Sequence, residues 1–174
     1  LRLAFAPDAP SARAVAEAIR AFLAEQGVPE KELFSYELCI AEASNNAIKY
    51  AVGPARDLQP VAEALFTPDR IELRMTDHTP GFDLPEKIPQ PSPLGDSGRG
   101  LFLIQSVMDE VRYLRGETEN ILIMRKRRRA WHEPGVAWPP ARALATRCEV
   151  ARARLPGVVR PPADGAVAPA VLAA

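Results

Sequence analysis

The chain of 174 residues is 47% hydrophobic and 25% charged, which suffices for one compact domain with an appendage but not for two full domains. Its formal net charge is zero, yet residues 1–125 carry 13 basic and 19 acidic side chains whereas residues 126–174 carry 9 and 3. Only two cysteines occur, Cys39 and Cys148, which excludes a disulfide framework, and no run of about 18 apolar residues predicts a membrane span. We therefore expect a soluble protein of a reducing, cytoplasmic compartment.

Hydrophobic periodicity predicts a short strand and then two helices. Residues 1–6 alternate as a strand does, and apolar residues at helical spacing over 12–26, closed by Gly27, predict the first helix. A longer helix is expected from Pro29 to about Ala51. Its core-facing side is expected to be a stripe of apolar residues that follow one another at intervals of four, three, seven and four residues, which is close to helical spacing. That stripe consists of Phe34, Leu38, Ala41, Ile48 and Val52.

The second half of the folded part is predicted to be mostly strands. The expected elements are a hairpin of strands 61–67 and 70–76, a long proline-rich loop at 83–97, a helix at 101–108 and strands at 111–115 and 120–126. We interpret the loop as a lid, since long loops without periodicity are usually functional. From residue 128 the composition shifts to Ala, Pro and Arg. Residues 128–174 are therefore expected to be a basic tail, disordered or partly helical, with one candidate helix at 141–155.

Three polar residues of the second helix are predicted to share one face. Glu42, Asn46 and Lys49 are spaced i, i+4 and i+7, which at about 100° per residue places them within a stripe roughly 60° wide. A carboxylate, an amide and an amine would then meet at the rim of the core. Taken alone, such a stripe is more typical of a solvated helix face.

Two glycine-containing segments are candidates for ligand binding. In the first, Asp77 to Asp83, a carboxylate at a strand end can accept a hydrogen bond from an exocyclic amine, although the same residues also favour a plain turn. The second, Gly95 to Leu101, precedes a helix whose backbone N–H groups and dipole favour an anion, and Arg99 adds positive charge. Its spacing matches neither the Rossmann nor the P-loop fingerprint, so by itself it also fits a flexible hinge.

Together the segments ELCIAEASNNAIKYA (residues 37–51), MTDHTPGFD (75–83) and GDSGRGLFLI (95–104) resemble the N, G1 and G2 boxes of the GHKL ATPase superfamily. The closest resemblance is to its single-domain anti-sigma-factor serine/threonine kinases, and it covers about residues 1–127. It implies a kinase domain over those residues with an α+β fold of two layers. In that fold a mixed, mainly antiparallel sheet is covered on one face by helices, and ATP binds between the helices and the lid.

Position by position, the resemblance implies a role for each matched residue. Glu42 matches the catalytic base, and Asn46 matches the residue that holds Mg²⁺ beside the nucleotide. Asp77 matches the adenine-binding aspartate, and Gly81 matches the second glycine of the G1 box. Lys49 is expected to touch a phosphate or the substrate, unless it is an ordinary exposed helix lysine. The phosphate-wrapping segment matches Gly98, Arg99, Gly100 and Leu101.

The chain departs from related patterns at a few positions. Thr79 stands where the first glycine of the G1 box is usual, which makes the turn beside the nucleotide less certain. Histidine kinases have a similar N box, but Glu42 stands where theirs carries an asparagine. The only histidines are His78, in the turn, and His132, in the tail, so no dimerisation helix with a phosphorylatable histidine is predicted.

The resemblance implies an ATP- and Mg²⁺-dependent serine/threonine kinase of the bacterial cytoplasm that is also an anti-sigma factor. The expected partners are a STAS-domain anti-sigma antagonist, a sigma factor and a second copy of the chain in a homodimer. No membrane and no direct nucleic-acid contact are expected. Two alternatives stay open: a catalytically weak, nucleotide-dependent regulatory binding module, which Thr79 and the proline-rich loop would suit, and an ATPase that acts alone.

Overall fold

The computed structural model describes residues 1–91 and 98–128. The candidate helix at 141–155, the rest of the expected tail from residue 129 and residues 92–97 of the expected lid lie outside the described residues. The elements, in chain order, are β1 (Arg2–Ala4), α1 (Ala9–Glu25), α2 (Glu30–Lys49), a 3-10 helix (Gly53–Asp57), β2 (Val61–Phe66), β3 (Arg70–Asp77), α3 (Arg99–Val107), β4 (Glu110–Arg115) and β5 (Asn120–Arg127). This order is the predicted one, with a 3-10 helix added between α2 and β2.

The five strands form one sheet in the order β1-β2-β3-β5-β4, and every neighbouring pair is antiparallel. The α+β fold is therefore confirmed, with an antiparallel sheet in place of the mixed one. Alternate residues of β3 and β5 belong to the buried core together with side chains of α1 and α2. These strand residues are Leu73, Met75, Leu122 and Met124. No helix in the described ranges is long and apolar enough to cross a membrane.

Helix α1 begins three residues before its predicted start because Asp8 caps it. The Asp8 side chain accepts a hydrogen bond from the backbone N–H of Ser11 at 2.8 Å, and Pro10 occupies the first turn, where no intrahelical N–H is needed. The helix ends before Gly27, whose φ of +81° is the left-handed conformation that terminates many helices. Its buried side chains pack on α2 and the sheet.

The predicted buried face of α2 is wrong. Phe34 is 64% exposed and Val52, beyond the helix end, is 53% exposed, while the other three members of the predicted stripe are half-buried. The residues that are buried instead are Leu33, Tyr36, Cys39, Ile40, Ala43, Ser44 and Ala47. The buried face therefore combines large side chains in its first half with small ones in its second half, where α2 can lie close to its neighbours.

The face of the sheet away from the core carries a charged network centred on Glu72. The Glu72 side chain is only 4% exposed, and it accepts hydrogen bonds from Nε of Arg125 at 2.5 Å and Nε of Arg74 at 2.6 Å. Arg125 also donates to Glu110 at 3.2 Å. Burial by itself would raise the pKa of Glu72, but the two arginine hydrogen bonds outweigh it and hold that pKa below its usual value.

Candidate functional site

Glu42 of α2 lies against the first turn of α3. A β-carbon added to Gly100 would be 2.5 Å from Oε2 of Glu42, 3.4 Å from its Cδ and 3.5 Å from its Cβ. The missing side chain at residue 100 is therefore what allows the carboxylate to occupy this position. The structure thus brings the first and the third sequence motifs into direct contact.

The start of α3 has the geometry of an anion-binding helix N-terminus. Gly98 precedes the helix with φ +84°, a conformation that favours glycine, and as the N-cap residue it has no side chain to bond the first turn. The N–H groups of a first helical turn have no acceptor within the helix, so they can bind a phosphate oxygen. Arg99 is exposed at the first position, and Leu101 packs against the core and so anchors the turn.

Asn46 and Lys49 follow Glu42 along α2 but differ in their surroundings. Asn46 is half-buried one turn after Glu42. Lys49 is exposed, and its Nζ lies 5.3 Å from the ring centroid of Tyr50 in a cation–π contact. The contact seen for Lys49 therefore favours the interpretation as an exposed helix lysine.

The amide of Asn46 is chemically suited to the magnesium site that the resemblance implies. Its carbonyl oxygen is a hard donor of the type that Mg²⁺ accepts. Within residues 1–91 and 98–128 no group of three or more His, Cys, Asp or Glu side chains is placed to hold a metal. A magnesium ion beside Asn46 would therefore take its other ligands from nucleotide phosphates and water, as this ion commonly does.

Asp77, at the end of β3, is 6% exposed and held by three donors on one oxygen. Its Oδ1 accepts hydrogen bonds from the backbone N–H of Thr79 at 2.9 Å, the Thr79 hydroxyl at 2.6 Å and the side-chain amide of Asn120 at 3.2 Å. These bonds fix the plane of the carboxylate. A carboxylate held in this orientation can accept a hydrogen bond from an amino group such as that of adenine.

Thr79 completes the turn after Asp77 in place of a glycine. Its hydroxyl donates to Asp77 and accepts from the backbone N–H of Gly81 at 3.3 Å. Gly81 has φ +77°, and a β-carbon there would lie 3.0 Å from Nε of Arg115 and 3.1 Å from Oδ1 of Asn120. The threonine at residue 79, where a glycine is usual, therefore links Asp77 to the backbone of Gly81 through two hydrogen bonds.

Sequence reasoning missed Asn120 and Tyr113 as neighbours of Asp77. Asn120 is 3% exposed, stands directly opposite Asp77 in the β3–β5 register, and also donates to the carbonyl of Thr79 at 2.8 Å. The ring of Tyr113 packs on Phe82 with centroids 4.3 Å apart. Burial raises the pKa of Tyr113, and the nearby Asp77 charge adds to that rise. These contacts depend on strand pairing. β5 pairs with β3, which is distant from it in sequence, and β4 pairs with β5, so no local sequence pattern could have revealed them.

Gln105 of α3 ties down the described first part of the expected lid. Its Oε1 accepts the backbone N–H of Ile88 at 2.9 Å, and its Nε2 lies 3.5 Å from the carbonyls of Pro85 and Glu86. The Ile88 side chain is 9% exposed. Residues 85–88 are therefore fixed to α3 although they form no helix or strand.

Comparison with known proteins agrees with this architecture. A family model described as the histidine kinase-like ATPase domain matches residues 5–126, the region that contains all three motifs. The chain belongs to the histidine kinase-like ATPase family.

The chain is similar to the serine-protein kinase RsbW of Listeria monocytogenes serovar 1/2a, with 28% identity over 116 residues, covering 58% of this chain and 74% of that kinase. RsbW of Listeria innocua matches with the same identity and the same coverage. A crystal structure of the RsbU and RsbW domains of a Mycobacterium tuberculosis protein has a TM-score of 0.56 and 17% identity, covering 75% of this chain and 33% of that one. At this identity the structural likeness shows the fold alone.

Proposed function

We propose that residues 1–127 form an ATP- and Mg²⁺-dependent serine/threonine kinase domain that phosphorylates a STAS-domain anti-sigma antagonist and sequesters a sigma factor when the antagonist is phosphorylated. A homodimer in the bacterial cytoplasm is part of this proposal. One observation carries it: the carboxylate of Glu42 lies against Gly100, in the first turn of α3, which is the turn proposed to bind phosphate. A carboxylate at that position is suited to accept the proton of a hydroxyl that attacks the terminal phosphate.

In the proposed reaction the serine or threonine oxygen forms a bond to the γ-phosphorus, and the bond from that phosphorus to the bridging oxygen breaks, so that ADP leaves. Glu42 takes the hydroxyl proton, a role that is typically worth about 10²–10⁴ in rate. The first turn of α3 binds phosphate oxygens through backbone N–H groups. Asp77, oriented by Thr79 and Asn120, receives the adenine amino group. The Asn46 amide would hold a magnesium ion, which would supply positive charge beside the phosphates.

The experiment that tests the proposal is phosphoryl transfer from γ-labelled ATP to candidate STAS proteins of the same organism, with wild-type protein and Glu42→Gln. Glu37→Gln is the matched control, because Glu37 lies on the same helix but accepts a hydrogen bond from Arg20 of α1 at 3.3 Å. We expect label on a serine or threonine of one candidate, lost in Glu42→Gln and retained in Glu37→Gln. Intact ATP binding and stable complexes without transfer would instead support the nucleotide-dependent binding module.

A further inference from the structure

A cavity of about 1210 Å³ lies at the other end of α2 from the candidate ATP site. Its walls come from the first turns of α2, the end of α3 and the adjoining ends of β3, β4 and β5. The lining residues contributed by α2 end at Tyr36, ten positions before Asn46, which is about 15 Å along a helix. Among the described residues of the three sequence motifs, none lines this cavity.

The cavity is positively charged on a body that is negative. Its three acidic residues, Glu32, Asp109 and Glu110, are outnumbered by basic ones. The six basic lining residues are Lys31, Arg70, Arg125, Lys126, Arg127 and Arg128. Because residues 1–125 carry 13 basic and 19 acidic side chains, the sign of the charge reverses locally at this cavity. Such a reversal favours an anionic ligand and speeds its encounter.

Part of this positive charge is already neutralised inside the protein. Lys126 bonds through Nζ to the carbonyl of Val107 at 2.5 Å and to Asp109 at 3.2 Å. Arg125 is shared between Glu72 and Glu110. These two cations therefore shape the wall and contribute little to the attraction of a ligand.

Arg70 and Arg127 are less well compensated. They stand directly opposite one another in the β3–β5 register, and like charges in that position destabilise a sheet. The Arg70 guanidinium is 4.0 Å from Glu72, which already accepts from Arg74 and Arg125. A carboxylate bound between Arg70 and Arg127 would relieve the repulsion.

Further donors line the same cavity. Lys31 is exposed on the first turn of α2, and the hydroxyls of Ser35 and Ser106 line the same space. A carboxylate accepts several hydrogen bonds at once, so this set of ammonium, guanidinium and hydroxyl groups matches it.

We propose that this cavity binds an acidic peptide segment of a partner protein. Its volume is far larger than one inorganic anion needs and suits several peptide residues. Single-stranded nucleic acid fits less well, because the one aromatic side chain among the described lining residues, Tyr36, is only 3% exposed and offers no surface on which a base could stack. The binding does not depend on ATP or on kinase activity.

The test is fluorescence anisotropy of a fluorescein-labelled decapeptide of alternating Glu and Ser, titrated with the full chain at 50 mM and 150 mM NaCl. The variants are Arg127→Glu and Lys31→Glu, two exposed positions on different elements. The control is Arg13→Glu, whose side chain is 84% exposed on α1 away from the cavity. We expect saturable binding by wild type, weakened at least tenfold by each cavity variant and less than twofold by the control. ATP affinity is expected to be unchanged in all three variants.

Three results would overturn the inference. The first is the absence of saturable binding at 50 mM NaCl. The second is an equal loss of affinity in Arg13→Glu and Arg127→Glu, which would mean that only overall charge matters. The third is tighter binding of a labelled ten-nucleotide thymidine strand than of the peptide, with the same dependence on Arg127 and Lys31, which would assign the cavity to nucleic acid.

Discussion

Gly100 and Glu42 occupy adjoining space that a single added carbon would fill. The β-carbon of an alanine at residue 100 would come within 2.5 Å of Oε2 of Glu42, but only the flexible end of the glutamate is so close. The carboxylate can therefore move away without moving the backbone. A side chain at residue 100 would therefore change the position of the Glu42 carboxylate more than it would change the stability of the fold.

Gly100→Ala is accordingly expected to fold normally and to lose phosphoryl transfer by a factor on the order of 10², because Glu42 is displaced from the start of α3. Transfer to the STAS substrate and the thermal midpoint would be measured together. Glu37→Gln, on the same helix as Glu42, is the control and should keep wild-type activity. Full activity in Gly100→Ala would remove Glu42 from the proposed mechanism.

Thr79→Val keeps the shape of the side chain but removes the hydroxyl that joins Asp77 to Gly81. We expect ATP affinity to fall about tenfold, since one hydrogen bond to a charged group contributes about 1.5 kcal/mol. Isothermal titration calorimetry with a non-hydrolysable ATP analogue measures this directly. Thr79→Ser retains the hydroxyl and is expected to stay within about threefold of wild type; equal affinities in all three proteins would contradict the role given to Thr79.

Gln105→Leu is expected to release residues 85–88 from α3. Loss of the hydrogen bond to the Ile88 N–H, worth about 1 kcal/mol, should raise the population of the open loop several-fold. Limited trypsin digestion reports this as faster cleavage after Lys87, which is exposed beside the anchored segment. Ser106→Ala, at the adjacent position, should be cleaved at the wild-type rate. Unchanged cleavage in Gln105→Leu would show that Ile88 packing alone holds the loop.

Glu72→Gln is expected to reduce the free energy of unfolding at pH 7 by about 2 kcal/mol, because a buried carboxylate that accepts from Arg74 and Arg125 is lost. The pKa of Glu72 is lower in the folded state than its ordinary 4.5, so its stabilising effect is complete above that pH and disappears as the pH falls below it. Urea unfolding between pH 7 and pH 3 should therefore show a steeper loss for wild type than for the variant.

The control for this experiment is Glu17→Gln, an exposed i,i+4 partner of Arg13, which should change stability by less than about 0.5 kcal/mol. If the stability of wild type and of Glu72→Gln fell in parallel below pH 4.5, the network on the open sheet face would not be the source of the acid sensitivity.

Much of the fold follows from local signals in the sequence. Alternation over residues 1–6, the helix stop at Gly27 and the glycines before α3 contributed to a correct prediction of the element order. The buried face of α2 was wrong because periodicity weights large apolar residues such as Phe34, whereas this helix packs through Ala43 and Ala47. Which face of a helix is buried depends on its neighbours as well as on its own pattern.

The candidate site was predictable only in part. Motif spacing placed Glu42 and Asn46 on one helix face, and the contact with Gly100 is compatible with that expectation. The role of Asn120 beside Asp77 depends on strand register between segments more than 40 residues apart, which no local pattern encodes. The cavity near Arg127 likewise arises from elements that are distant in sequence.

The place of β5 between β3 and β4 has a consequence for biosynthesis. This strand is the last in sequence among the described residues, yet it lies inside the sheet, between β3 and β4. A nascent chain that ends before Asn120 lacks the partner of Asp77, and one edge of β3 is left unpaired. The sheet is therefore complete only after residues 120–127 have been synthesised. Before that point the nascent chain exposes an unpaired strand edge that can pair with other chains, and we expect chaperones to bind it at this stage.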